Sequence, residues 1–341
     1  MPSASRYSSM YATSEGTRRY ISHHPDYRDA AFYRTVCDLG VSSLGIGTYL
    51  GGTDEASDRA YTDALIGAGE GGINFFDTAI NYRDQRSERA IGKALETLVR
   101  DEIVISTKAG FLTRGAVPDF LQPEDVAGGM HSMEPRFLAD QIDRSRANMG
   151  IETIDIFYLH NPETQLEYRS RPDFEDRIRR AFAQLEKLAD QQKIRWYGAA
   201  TWDGFRKAGM LDLSRLAGIA MEEGGPNHRF RFIQLPFNLA MVEAFTGRPR
   251  SMLEQAAERG IAVVASATLL QAGVLPQMPD AVAELLPGLA TGAQRAIQFT
   301  RSTPGIAVAL VGMGRPEHVR ENLGVARVPP APKEEYLRLY S

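Results

Sequence analysis

The sequence predicts an α/β protein built as a (β/α)8 TIM barrel with long loops at the C-terminal face of the strands. From about Val41 onward, eight short apolar runs of strand character alternate with eight segments whose apolar residues recur at helical spacing. Such alternation implies parallel pairing, because neighbouring parallel strands need a crossover, and eight units are the number that closes a barrel. An open doubly wound sheet would instead show GxGxxG opening a helix after the first strand, and GIGTYLGG is too loose a match.

The first strand, 43–49, ends in the turn GGTD, and Asp54 is placed to cap a helix over 54–69. A buried strand over 73–78 precedes a helix over 86–100, in which Ala90, Ile91, Ala94, Leu95 and Leu98 share a face. The remaining strands are 102–108, 154–160, 194–201, 230–237, 261–268 and 305–312. The helices paired with them are 135–149, 173–192, 203–222, 249–259, 289–302 and 316–324. Three connections, 110–133, 223–229 and 269–288, are longer than ordinary and read as specificity elements. Residues 1–32, rich in Ser, Tyr, Arg and His, lack clear periodicity. They read as an N-terminal extension, either flexible or laid against the barrel or a partner subunit. Residues 33–341 are then a single barrel domain.

Composition narrows the function. Hydrophobic residues are 43% and charged residues 24% of 341, an ordinary globular balance. A net charge of -4 supplies no basic field for nucleic acid or anionic lipid. Cys37 is the one cysteine, so neither an internal disulfide nor a cysteine zinc site is expected. No apolar run has the length of a membrane span, and the first residues lack the apolar core of a secretory signal. A cytoplasmic protein is the expectation.

Four polar residues stand at or just beyond the ends of consecutive strands. Asp77 ends the second, Tyr82 follows on its loop, Lys108 ends the third and His160 ends the fourth. Singly, each has a plain reading: a loop cap, a packed tyrosine, a solvated strand end, a structural histidine. Together they bring four titratable groups to one mouth of the barrel. Reducing a carbonyl with hydride requires a proton donor at the developing alkoxide. Tyrosine, with an ordinary pKa of about 10, needs a nearby cation to serve near neutrality. The set therefore predicts Tyr82 as acid/base and Lys108 as the cation that lowers its pKa. Asp77 holds Lys108 charged, His160 orients the carbonyl oxygen, and no metal is required.

Five segments in chain order resemble the aldo-keto reductase family. They are INFFDTAINYRDQRSERAIGKALE (73–96), STKAG (106–110), YLHNPE (158–163), QLPFNL (234–239) and VGMGRPEHVRENL (311–323). The resemblance implies an NAD(P)H-dependent reductase acting on an aldehyde or ketone, or oxidising the matching alcohol or sugar. By it Asp77, Tyr82, Lys108 and His160 form the catalytic tetrad. It also places Gln234 and Thr201 on the nicotinamide carboxamide and Gly47, Thr48 and Asp77 along the cofactor. Ser266 precedes, and Thr268 lies within, a backbone stretch, Ala267 to Gln271, suited to the pyrophosphate. Gly312, Gly314, Arg315, His318, Glu321 and Asn322 take the adenosine end. Tyr49 and Trp202, with Tyr82, His160 and loop 110–133, wall the substrate pocket.

The pattern departs from the family at three places. Ala200-Thr201 replaces Ser-Asn after the fifth strand, removing one side-chain contact to the carboxamide. Ser266 stands where many members stack a tyrosine on the nicotinamide. Gly312-Met313 and His318 stand at the positions of the lysine and arginine that many members place around the 2′-phosphate, with Arg315 close by. NADPH is the expected cofactor and NADH the alternative. A second reading is a cofactor-binding sensor or regulatory subunit resembling potassium channel β subunits. A different barrel enzyme without nicotinamide would leave the C-terminal motif without a purpose. No residue pattern sets the oligomeric state or the particular carbonyl.

Overall fold

The computed structural model describes residues 10–277 and 279–340. Eight parallel strands close into a barrel. They are β1 (Leu44–Gly47), β2 (Phe75–Asp77), β3 (Val104–Ala109), β4 (Ile154–His160), β5 (Ile194–Ala200), β6 (Phe230–Pro236), β7 (Ala262–Ser266) and β8 (Ile306–Gly312). β8 pairs β1, with Ala309 opposite Leu44 and Gly312 opposite Gly47, which completes the ring. The lower interior is filled by Phe75, Val104, Ile156, Tyr158, Phe232, Val264 and Val308, so the barrel is a packed core and not a pore.

Outside run α1 (Glu55–Glu70), α2 (Arg86–Leu95), α3 (Pro135–Met149), α4 (Arg171–Asp190), α5 (Leu213–Gly224), α6 (Met252–Glu258), α7 (Gly292–Ser302) and α8 (Pro316–Asn322). Side-chain caps start six of them, and α2 and α8 begin without one. Asp54 accepts from Ser57 N, Ser170 from Asp173 N, Ser251 from Glu254 N and Thr291 from Gln294 N. The helix expected over 203–222 is shorter than its composition suggests. Gly209 is left-handed, with φ 78°, and Asp212 caps the amides of Ser214 and Arg215, so α5 begins after them.

Of the extension expected over residues 1–32, residues 1–9 lie outside the described residues, and the rest is laid against the barrel with regular structure that its composition did not signal. Ser14–Ser22 and Pro25–Asp29 are helical, and a hairpin of Tyr33–Val36 and Leu39–Ser42 follows. The hairpin places Val36, Leu39 and Val41 over the N-terminal end of the barrel interior. Polar contacts hold the first helix. Ala12 N donates to the buried Asp155 (2.8 Å), and Arg19 pairs with Asp101 and Glu102. A Cβ on Gly16 would fall 2.2 Å from Asp101 O, so this contact needs glycine. The N-terminal end is thereby closed, and open loops lie at the other end. Among the described residues, no helix is long and apolar enough to cross a membrane.

Candidate active site

Asp77 and Lys108 meet because they end adjacent strands. Lys108 Nζ donates to Asp77 Oδ2 (2.6 Å) and to the Thr78 carbonyl (2.7 Å), and both side chains are buried. The other carboxylate oxygen of Asp77 accepts from Ser106 Oγ (2.6 Å) and Gln234 Nε2 (3.0 Å). Thr48 hydroxyl bonds to Thr78 Oγ1 (2.9 Å) beside them. Tyr82 lies above this layer, with Lys108 Nζ 5.1 Å from its ring centroid.

The segment after Tyr82 braces the site. Arg83 pairs with Asp58, and Ser87 Oγ donates to Thr48 O (2.7 Å). Buried Glu88 accepts from Thr107 Oγ1 (2.7 Å) and Asn148 Nδ2 (2.8 Å).

A run of rings leads inward from the rim. Tyr49 packs on Tyr82 (4.9 Å between centroids), Tyr82 on His160 (5.7 Å), His160 on Phe111 (5.2 Å) and Phe111 on His131 (5.1 Å). His131 comes from the 110–133 loop, and with Gln165 it is a residue the sequence reading missed. Gln165 Nε2 lies 3.2 Å from His131 Nδ1, and His131 Nε2 lies 2.7 Å from the His160 carbonyl. Burial pushes the His131 pKa down to about 4, so its ring is neutral. The two neighbours then fix the tautomer: Gln165 donates to Nδ1, and Nε2–H donates to His160 O. A Cβ on Gly110 would stand 2.5 Å from His131 Nε2, which is why glycine follows Lys108-Ala109.

The electrostatics differ from the simplest expectation. Burial holds the Tyr82 phenol well above its ordinary pKa, and the Asp77 carboxylate adds to the rise. The net shift is therefore upward, although Lys108 Nζ lies 5.1 Å from the ring. Burial depresses Lys108 as well, with Asp77 opposing. His160 is held well below the usual histidine range by burial, then by Lys108 and His131. The layer is therefore one Asp–Lys ion pair beneath a neutral phenol and a neutral imidazole.

These groups floor a cavity of about 840 Å³. Asp77, Tyr82 and His160 line it, whereas Lys108 lies beneath. Of the residues assigned to a cofactor, Gly47, Thr48, Thr201, Gln234, Ser266, Thr268, Gly312, His318, Glu321 and Asn322 line it too. Gly314 and Arg315 do not: Gly314 backs onto the Tyr61 ring and Arg315 is exposed at the start of α8. Tyr49 and Trp202 stand at the rim, 57% and 45% exposed. Asn81, Asn161, Ala272 and Ala293 also line the wall and were not anticipated. Asn161 follows His160 directly, a signal available in the sequence.

Several features suit a long polar ligand. Asn81 Oδ1, His160 Nδ1 and Thr268 Oγ1 are buried without hydrogen-bond partners among the described residues. Gln234 uses its amide N–H on Asp77 and keeps its carbonyl oxygen. Ala267, Leu270, Gln271 and Ala272 are all left-handed, with φ from 45° to 69°. Non-glycine residues hold such angles at a cost of about 1–3 kcal/mol each, and they recur at ligand clamps.

Comparison with known proteins agrees with this geometry. The profile of the aldo/keto reductase family matches residues 43–284. The chain is 28% identical over 322 residues to D-threo-aldose 1-dehydrogenase of a Pseudomonas species, covering 83% of this chain and 89% of that protein. It is 29% identical over 173 residues to the NADH-specific methylglyoxal reductase of Escherichia coli, a match that spans 49% of this chain and 50% of that protein. The solved aldo/keto reductase from Klebsiella pneumoniae in complex with NADP and acetate superposes with a TM-score of 0.65 at 22% identity, covering 89% of this chain and 93% of that one.

Proposed function

Because the chain belongs to the aldo/keto reductase family of NAD(P)-dependent oxidoreductases, we propose that it interconverts an aldehyde or ketone with the matching alcohol or sugar, with Tyr82 as acid/base. The observation that carries this is the layering of a neutral phenol over the Asp77–Lys108 pair at the floor of the cavity. A bound reduced nicotinamide supplies the hydride.

The chain's own residues handle the proton. In reduction, Tyr82 O–H donates its proton to the carbonyl oxygen as electron density builds there. The resulting tyrosinate gains the attraction of the Lys108 ammonium, 5.1 Å from its ring in the resting arrangement. In oxidation the proton returns from the alcohol to the tyrosinate. His160, neutral and in edge contact with Tyr82, orients the same oxygen.

Gln234 and Thr201 would hold the carboxamide, the 267–272 backbone the pyrophosphate, and Glu321 and Asn322 the adenine. Arg315, exposed and without an ion pair among the described residues, would reach a 2′-phosphate at the cavity edge. That favours NADPH, with NADH as the alternative. The substrate end is walled by Tyr49, Tyr82, Phe111 and Trp202, which suits an uncharged carbonyl or a sugar face.

The test compares Tyr82→Phe with the parent on a panel of aldehydes. Loss of kcat by about 10²–10⁴-fold with unchanged NADPH affinity is expected. Equal turnover would remove Tyr82 as the acid. Tight cofactor binding by the parent with no turnover on any carbonyl would favour a sensing role.

A further inference from the structure

The loop after β5 carries Trp202, 45% exposed, to the rim of the cavity. Among the described residues the indole has no ring contact and no side-chain hydrogen bond. Its backbone, by contrast, is held. Glu163 Oε1 accepts N–H bonds from Trp202 (2.8 Å), Asp203 (3.1 Å) and Gly204 (3.1 Å). Glu163 comes from the loop after the neighbouring strand β4. There left-handed Asn161, with φ 48°, and Pro162 lead into the tight turn Pro162–Glu167. The carboxyl side chain is 4% exposed and stands outside the cavity lining.

Three successive amides converging on one carboxylate oxygen make an anion nest, closed here around a group of the chain itself. Bonds of this kind are charge-assisted. Without the acceptor, three amides of a partly covered loop lose their partner, and the loop settles elsewhere with Trp202 attached. We propose that Glu163 is a positioning residue that determines substrate specificity: it fixes Trp202 as the wall against which a ring-sized carbonyl packs. This rests on the reading of the cavity as a carbonyl-reducing site.

Glu163→Ala, Glu163→Gln, Trp202→Ala and the double variant Glu163→Ala/Trp202→Ala are compared on benzaldehyde and methylglyoxal with saturating NADPH. In parallel, acrylamide quenching is read in a Trp196→Phe background, where Trp202 is the sole tryptophan. Glu163→Ala raises KM for benzaldehyde about tenfold while kcat, KM for methylglyoxal and NADPH affinity hold, because one packed ring is lost. Its Trp202 becomes about twofold more quenchable, and Glu163→Gln, which keeps an acceptor oxygen, stays within about threefold of the parent in KM. Trp202→Ala reproduces the KM change, and the double variant adds nothing. Equal losses on both aldehydes, a further loss in the double variant, or unchanged quenching overturns the proposal. If the parent reduces neither aldehyde, the reductase reading fails, and the quenching comparison alone decides whether Glu163 holds Trp202.

Discussion

Asp77→Asn removes one negative charge from the floor of the cavity with almost no change of shape. The carboxylate takes bonds from three donors: Lys108 Nζ at 2.6 Å, Ser106 Oγ at 2.6 Å and Gln234 Nε2 at 3.0 Å. An amide offers one acceptor oxygen where the carboxylate offers two. Lys108, fully buried, is left with that oxygen and the Thr78 carbonyl at 2.7 Å. Breaking a buried ion pair by removing one partner costs roughly 3–5 kcal/mol, and the two remaining acceptors place this case near the lower end, about 3 kcal/mol. With an unfolding entropy of about 2.1 cal/mol/K per residue, a chain of 341 residues then loses roughly 4 °C in Tm.

The sign of the pH dependence follows from Lys108. Burial already depresses its pKa, and Asp77 is the main opposing influence, so the folded pKa falls further in Asp77→Asn. A lysine with a depressed folded pKa binds fewer protons folded than unfolded between the two pKa values. Stability therefore rises with pH through that window, and the penalty is complete below it. The Tm deficit of the variant is largest near about pH 6 and shrinks towards about pH 10, where the unfolded lysine also begins to lose its proton. Calorimetry of both proteins across that range measures it. No deficit, or one that does not change with pH, would refute the charge link between Asp77 and Lys108.

Two further predictions concern His160 and Arg315. His160 is kept neutral by burial, Lys108 and His131, so its protonation lies well below neutrality. The reductive kcat is then level from about pH 6 to 8, and His160→Gln, which keeps a neutral donor, retains more activity than His160→Ala. Equal losses in the two variants would show that hydrogen bonding is not what His160 contributes. Arg315→Ala weakens NADPH by about 5–10-fold and leaves NADH unchanged, as expected of one exposed charge-assisted contact. Equal effects on the two cofactors in fluorescence titration would place the 2′-phosphate elsewhere.

The barrel was legible because its strands are covered on both faces and so appear as largely apolar runs, such as Ile306–Gly312. The strand ends were legible for the same reason: a lysine closing VIST stands out where everything before it is buried. The N-terminal helix was not. Ser14–Ser22 is held by Arg19 on Asp101 and Glu102, and the chain before it by Ala12 on Asp155, partners more than eighty residues away that leave no local period. His131 was hidden too. It sits in the middle of an irregular loop, and only the pairing of Val126–Ala127 with His131–Ser132 turns it under Phe111 and His160. The net upward shift of the Tyr82 pKa was hidden as well, because its leading cause is burial, which the spacing of motifs does not reveal.

Asp155 and Asp77 make the last point together. Each is a buried carboxylate on a barrel strand, and each is saturated by three donors. Asp155 takes Ala12 N (2.8 Å), Ile105 N (2.9 Å) and Arg100 Nη2 (2.8 Å) at the closed end. Asp77 takes Ser106, Gln234 and Lys108 at the open end. The geometry is alike, and the difference lies in what can titrate. Two amides and a guanidinium keep one charge state across all ordinary pH, so Asp155 can only latch the N-terminal segment. Lysine is the cation whose pKa moves when buried, and here it faces a phenol whose pKa has moved the other way. A proton arriving at or leaving Tyr82 changes the field at Lys108, and nothing comparable happens around Asp155. The same device, a triply bonded buried aspartate, thus serves as a fastening at one end of the barrel and as a seat for acid/base chemistry at the other, according to whether its cation can be tuned.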